Sequence, residues 1–374
     1  MTDAVARLLR RGIVTERTAP VTARAGMAGR PPKVLTLAAP SGVTAVIALT
    51  HQSLQAGVVG FDGTLHAQHI IDPYVHRTSQ GLLEPGLALL DRALHDASCA
   101  TSDLGCLVIG MPRPVAHDAD PARQQPSQEP SRPGHAAISI ADPGLPADPA
   151  AEFSRRLGVP AWTENDANLG ALGEGTYGAA TDMATFIYIK IAHGIGAGLV
   201  LDRRLHWGFR GLAGELAHIH VEEGGSLCRC GGRGCLMTTL NTPRLIDWIQ
   251  TVHPSVTTMA DLISLATDGD ASVWRLLRDL GRTLGRSLAS FCVYVAPDGI
   301  VLDGILQSAS APVISGIEEM LYEFAPPEIA RHVRVAGGLL GNRAELQGAV
   351  VLARQHQLGH DVVRLSHASQ AVAQ

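Results

Sequence analysis

Two hydrophobic periods alternate along this chain, and where one gives way to the other marks its elements. Residues 2–11, TDAVARLLRR, put Val5, Leu8 and Leu9 on one face with Arg7, Arg10 and Arg11 around it, which predicts a short amphipathic helix. Gly12 is placed to stop it. IVTERT then predicts a short strand, TARAGMAGRPPK (22–33) a loop dense in Arg, Gly and Pro, and VLTLA (34–38) a returning strand. Helix, strand, basic loop, strand is the back half of a winged helix. The two helices of its front half do not occur in this sequence, and an in-frame extension upstream of Met1 that encodes them is expected.

From Val43 the period shortens to that of strands. VTAVIALT and QAGVVGFDGTLHAQHII predict strands, with Asp62-Gly63 as a hairpin turn. Helical periodicity returns in GLLEPGLALLDRALHDA, then LGCLVIGMP reads as a buried strand. Residues 116–135 are rich in Pro, Gln and Ser with almost no apolar content, and predict a mobile loop. Beyond it come a helix (PADPAAEFSRRLG), a strand (VPAWTEN) and a helix beginning at DANLGALGEGTYG. ATFIYIKIAHGIGAGLVLDRRLHWG predicts strand, glycine turn and strand. TPRLIDWIQTV and 268–296 read as helices, GIVLDGIL as a buried strand, VISGIEEMLYEFA and ELQGAVVLARQHQL as helices. Hairpins followed by alternating helix and strand predict an α/β fold with two lobes.

Composition narrows this little. A length of 374 residues exceeds one ordinary core, so two or more domains are expected. A formal net charge of −5 excludes a strongly basic surface over the whole molecule but not a local one. Six cysteines, three clustered and three scattered (Cys99, Cys106, Cys292), suit a reducing cytoplasm better than a disulfide framework. The N-terminus has no continuous apolar core of a secretory signal, and no apolar run reaches membrane-spanning length. A soluble cytoplasmic protein without a membrane partner is expected.

The densest chemistry lies in GELAHIHVEEGGSLCRCGGRGC. His218, Cys228, Cys230 and Cys235 form a Cys3His set, the ligand count and softness of a closed structural zinc site. Gly231, Gly232 and Gly234 let the backbone turn tightly enough to gather the sulfurs. The bland alternative is a glycine-rich surface loop with incidental thiols. His220 is a rival ligand, on the other face if residues 216–221 form a strand.

Taken in order, GRPP (29–32), ENDAN (164–168), GIGAG (194–198), AGELAH (213–218) and CRCGGRGC (228–235) resemble the ROK family of repressors and sugar kinases. The resemblance implies a two-lobed, actin-like ATPase fold of the sugar-kinase/Hsp70 type, with a zinc-binding loop and a preceding partial winged-helix segment. It implies that Asp166 is the general base wherever kinase activity is retained, since phosphoryl transfer needs mainly positioning and a proton acceptor. It implies sugar contacts from Asn165, Asp166, Glu215 and His218, the last with one ring nitrogen on zinc and the other toward the sugar. Gly194, Gly196 and Gly198 would be a phosphate-binding remnant. Asp166 could equally be a helix N-cap with Asn168 an early helical residue, and Glu215 a solvated strand-end acid.

The chain also departs from the kinase pattern. Met237 stands where sugar-binding members carry a glutamate, and a thioether cannot accept from sugar hydroxyls as a carboxylate does. ALTHQS (48–53) replaces the acid and glycines of the first phosphate hairpin. Asp303 stands where the adenosine-side turn usually has a glycine. ATP and Mg2+ are therefore not expected. Two functions follow. The first is a sugar-responsive transcriptional repressor with its effector between the lobes. Arg30 and then Arg24 would enter a DNA minor groove, and Arg7, Arg10 and Arg11 would meet phosphates, unless these arginines are a solvated helix face and leader. The second is an ATP-dependent sugar kinase of glucokinase or N-acyl hexosamine kinase type. A degenerate pseudo-enzyme is a third. The layout read from the sequence is a partial winged helix at 1–40, an N-terminal lobe at 41–163, a C-terminal lobe with sugar and zinc sites at 164–340, a helix at 341–360 packing back on the first lobe, and a tail at 361–374. Family habit implies a homodimer and a DNA operator as partner.

Overall fold

The computed structural model describes residues 5, 6, 9, 14–18, 33–37, 42–50, 53–72, 74, 81–116, 148–192 and 194–358. Val5, Ala6 and Leu9 are helical. Arg7, Arg10, Arg11, Arg24 and Arg30, the GRPP motif, His193, nearly all of the 116–135 loop and the tail lie outside the described residues. Strands β1 (Val14–Thr18) and β2 (Lys33–Leu37) pair antiparallel, as the sequence pattern predicts for the returning strand.

Two five-stranded sheets carry the rest. The first is built from β3 (Val43–Leu49), β4 (Leu54–Val59), β5 (Leu65–Ile71), β6 (Leu104–Met111) and β7 (Ala161–Asn165), in the order β5-β4-β3-β6-β7. The second is built from β8 (Phe186–Ile191), β9 (Ile195–Leu201), β10 (Arg204–Leu205), β11 (Gly299–Gly304) and β12 (Arg334–Gly337), in the order β10-β9-β8-β11-β12. Each sheet is an antiparallel three-strand meander with two parallel strands added on the far side of its first strand. One topology occurs twice in the chain.

In the first sheet β3, β4 and β6 are buried on both faces, so these strands read as continuous apolar runs rather than alternating ones. Ala45, Ile47 and Leu49 pack with α1 (Leu83–Asp96) and with Phe153 of α2 (Pro149–Leu157). Val46 and Val108 point the other way, into a cluster with α3 (Asp166–Tyr177). In the second sheet, Ile187, Ile189 and Ile191 join a core with helices α4 (Leu236–Thr239), α5 (Thr242–Gln250), α6 (Met259–Thr267), α7 (Ala271–Val295), α8 (Ser310–Phe324) and α9 (Pro327–His332). Their strand neighbours Phe186 and Tyr188 face α3 instead, as the two-residue side-chain period of a strand requires.

The helices that leave the last strand of each sheet, α3 after β7 and α10 (Ala344–Leu358) after β12, pack along each other. Their cluster takes residues from both sheets, among them Val46, Val108, Tyr188 and Val301. Contact is close because glycines meet backbone: a Cβ at Gly173 would overlap the Ala344 carbonyl, and one at Gly348 the Leu169 carbonyl. This helix pair floors the space between the sheets.

Five elements escape the sequence reading: α4, α6, α9, β10 and β12. The first, third and last are only four to six residues long. A start signal for α6 is present in Thr258-x-x-Asp261, and the structure shows the capping box it encodes. Residues 216–218 form a 3-10 turn, so the conditional strand over 216–221 does not exist.

Candidate functional site

The junction of β7 and α3 organises the site. Asn165 is the helix cap: its Oδ1 accepts from the backbone N–H of Ala167 at 2.9 Å and of Asn168 at 3.1 Å. Asp166 is therefore the first helical residue and not the cap. Asn168 is more than an early helical residue, since its Nδ2 donates to Glu164 Oε1 at 2.9 Å. Glu164 is fully buried and holds three groups in place, accepting also from Asn165 N–H at 2.7 Å and, through Oε2, from Trp207 Nε1 at 2.7 Å. The Trp207 bond ties the end of β7 to the loop that leads into AGELAH.

Asp166 is buried, and each of its carboxylate oxygens accepts one hydrogen bond. Oδ1 accepts from Ala167 N–H at 2.9 Å, and Oδ2 from the Lys190 ammonium at 2.8 Å. Lys190 also donates to Glu345 Oε1 at the start of α10, and Glu345 Oε2 accepts from Gln55 Nε2 of β4 at 3.2 Å. One buried lysine thus ties β8 to both floor helices. Burial alone would lower the Lys190 pKa, but the carboxylates of Asp166 and Glu345 outweigh it and raise it, so the side chain stays charged. Burial raises the Glu345 pKa above the usual carboxylate value, and Asp166 adds to the rise. Sequence reasoning missed Lys190; its signal was a lone charge inside the apolar strand FIYIKI.

Asn165, Asp166, Lys190, Glu215, His218 and Met237 line one open cleft of about 680 Å³. Thr50, Gly194 and Gly196 reach the same space, whereas Gly198 packs on α3, where a Cβ would lie 2.7 Å from both Ala167 O and Ala171 Cβ. Glu215 is half-buried, and burial, with Asp166 nearby, raises its pKa. His218 Nε2 lies 3.6 Å from Glu215 Oε2 on the cleft side, and Nδ1 lies 3.5 Å from Cys228 Sγ on the other.

The donor atoms of His218, Cys228, Cys230 and Cys235 all lie within 4.8 Å of one another. Tetrahedral zinc with bonds of about 2.3 Å to sulfur and 2.0–2.1 Å to nitrogen sets ligand edges of about 3.8 Å (S···S) and 3.6 Å (S···N). The structure has 3.6 Å between Cys230 and Cys235 sulfurs and 3.5 Å between Cys228 and His218. These residues fit a metal ion. Gly231 and Gly234 adopt φ of +89° and +65°, the left-handed turns that fold the loop back on itself. His220 is exposed, bridges to Cys235 through the backbone and stays outside the donor set.

Two loops bear on nucleotide chemistry. In the β3–β4 turn, Thr50 N–H donates to Ser53 O at 2.8 Å, and Thr50 Oγ1 accepts from Ser53 N–H at 2.9 Å. Those two amides are consumed within the turn. Asp303 is buried, accepts from Tyr188 OH at 3.1 Å and from Gly304 N–H at 2.8 Å, and burial raises its pKa.

The ROK family model matches residues 51–356. This chain belongs to the ROK family. Among curated ROK relatives, the xylose repressor of Bacillus spizizenii is 29% identical over 213 residues, 57% of this chain and 55% of that protein. A glucokinase of Halalkalibacterium halodurans is also 29% identical, over 53% of this chain and 65% of the kinase. The chain spans about half the length of the curated repressors it matches. Among solved structures, a ROK transcriptional regulator homologous to Escherichia coli Mlc covers 97% of this chain and 90% of its own, with TM-score 0.74 and 21% identity. A ROK glucokinase from Streptomyces griseus covers 84% of this chain and all of its own, with TM-score 0.67 and 23% identity. The fold is the α/β, two-sheet ROK fold shared by repressors and sugar kinases. Among the described residues, no helix is long and apolar enough to cross a membrane.

Proposed function

We propose that this protein is a sugar-responsive ROK transcriptional regulator that does not phosphorylate its ligand. The observation that carries this reading is the Lys190–Asp166 ion pair. A kinase base must take up the proton of the attacking hydroxyl, and here the carboxylate already serves as the counter-charge of a fixed, buried ammonium. The Thr50 and Ser53 amides, bonded within their own turn, and the buried Asp303 side chain, which takes the Gly304 N–H, support the same reading, because those N–H groups are not available to a polyphosphate. The regulator structure also spans more of this chain than the kinase structure does.

In this reading the effector lies in the cleft. Asn165, Asp166, Glu215 and His218 contact its hydroxyls. Zn2+ held by His218, Cys228, Cys230 and Cys235 is structural and fixes the His218 ring, so that one nitrogen serves the metal and the other faces the ligand. Effector binding favours one arrangement of the lobes only through its differential affinity for it. Arg7, Arg10, Arg11, Arg24 and Arg30 engage an operator in the homodimer, in the cytoplasm.

The kinase reading draws on the glucokinases among the relatives and on the preserved ENDAN segment. Phosphoryl transfer from Mg-ATP to a panel of hexoses and N-acyl hexosamines separates the two. We expect no turnover above a protein-free control. Turnover abolished by Asp166→Asn would refute the regulator-only reading.

A further inference from the structure

We propose that Lys190 is the specificity-determining residue of the cleft, pairing with Asp166 as a donor–acceptor couple that reads one hydroxyl of the ligand. This deepens the sugar-sensor reading and rests on it. An ammonium has three N–H donors. Asp166 and Glu345 accept two of them. The side chain is about nine-tenths buried, yet it lines the cleft beside Asn165, Glu215 and His218. The remaining N–H is therefore placed to serve a cleft ligand.

A hydroxyl suits that position because it is donor and acceptor at once. Its oxygen takes the Lys190 N–H, and its proton goes to a lone pair of Asp166. Both protein groups are held before the ligand arrives: Asp166 by the helix start, Lys190 by its register in β8 and by Glu345 from α10. A cleft missing that hydroxyl would leave a desolvated ammonium donor unmet, which is the situation in which polar sites discriminate most strongly. The change at the other end fits. Met237 offers no acceptor of carboxylate strength, so the cleft has one fewer strong acceptor there and a fixed cation on its floor. Arg113 and Arg229 line the same cleft.

Calorimetry on the zinc-loaded protein tests this, with D-glucose, N-acetyl-D-glucosamine and the 3-, 4- and 6-deoxy analogues of each as probes. We expect one deoxy analogue to bind at least roughly tenfold more weakly than its parent. That ratio should fall to near one in Lys190→Met and in Lys190→Met/Glu345→Gln. The double variant removes the stranded buried acid and guards against misfolding of the single one. A wild type indifferent to every deoxygenation, or a folded variant that keeps the wild-type ratio, overturns the role of Lys190 and leaves the sensor reading standing. A wild type that binds neither parent sugar overturns the sensor reading for these sugar classes together with this proposal.

Discussion

Removing Lys190 should cost far more stability than removing either acid it holds. The three side chains are 7–11% exposed and form a buried set of one cation and two carboxylates. Lys190→Met leaves Asp166 and Glu345 facing each other without a counter-charge, and breaking a buried pair in this way costs about 3–5 kcal/mol. At about 1.3 °C per kcal/mol for a chain of this length, Tm should fall by roughly 4–7 °C. Glu345→Gln leaves a neutral Lys190–Asp166 pair and removes the carboxylate whose pKa burial already raises, so it should cost about 1 kcal/mol or less. Asp166→Asn leaves the Lys190–Glu345 pair and should be similarly mild. Adding Glu345→Gln to Lys190→Met should restore much of the loss. Thermal melts at fixed pH, with urea unfolding of the same four variants, measure this. Glu345→Gln as damaging as Lys190→Met, or no rescue in the double variant, would show that charge count does not govern this site.

Three further outcomes are expected. Gly198→Ala forces a Cβ against Ala167 and Ala171 of α3 and should cost about 1–3 kcal/mol in urea unfolding, and a cost-free substitution would mean that β9 and α3 are less closely packed than the structure has them. Chelating the metal, with its loss confirmed by elemental analysis, should lower Tm, because a bound structural ion contributes directly to folding, and an unchanged melt would make the Cys3His cluster dispensable. Burial raises the folded pKa of Asp303 above that of an aspartate in the unfolded chain, so its contribution is fully present below the unfolded value and is lost as pH rises through the folded pKa. Asp303→Asn should therefore gain stability relative to wild type as pH increases from about 4 toward neutrality, and parallel Tm–pH curves for the two proteins would contradict that assignment.

Much of the site was legible before any coordinates. The C-x-C-x4-C spacing confines three sulfurs to one short loop whatever surrounds it, and glycines at 231 and 234 permit the turns that gather them. The order of ENDAN, GIGAG and AGELAH fixes kinship, because each needs a particular local backbone. Strand and helix periods marked most long elements, since side-chain direction follows from local geometry alone. The short elements α4, α9 and β12 left no period to read, and their existence depends on the core they cap.

What the sequence determined by itself was local: the periods of the long elements, the cluster of three cysteines and the family. What only the tertiary structure decided was which distant groups meet. Lys190 looks like an anomaly in FIYIKI until β8 lies beside α3 and α10, 24 residues from Asp166 and 155 from Glu345 along the chain. Glu164 reaches Trp207 across 43 residues, and His218 rather than His220 joins the cysteines because the chain turns as a 3-10 helix there. Charge pairing in a dry interior depends on distance and burial, and neither is a property of any single stretch of sequence.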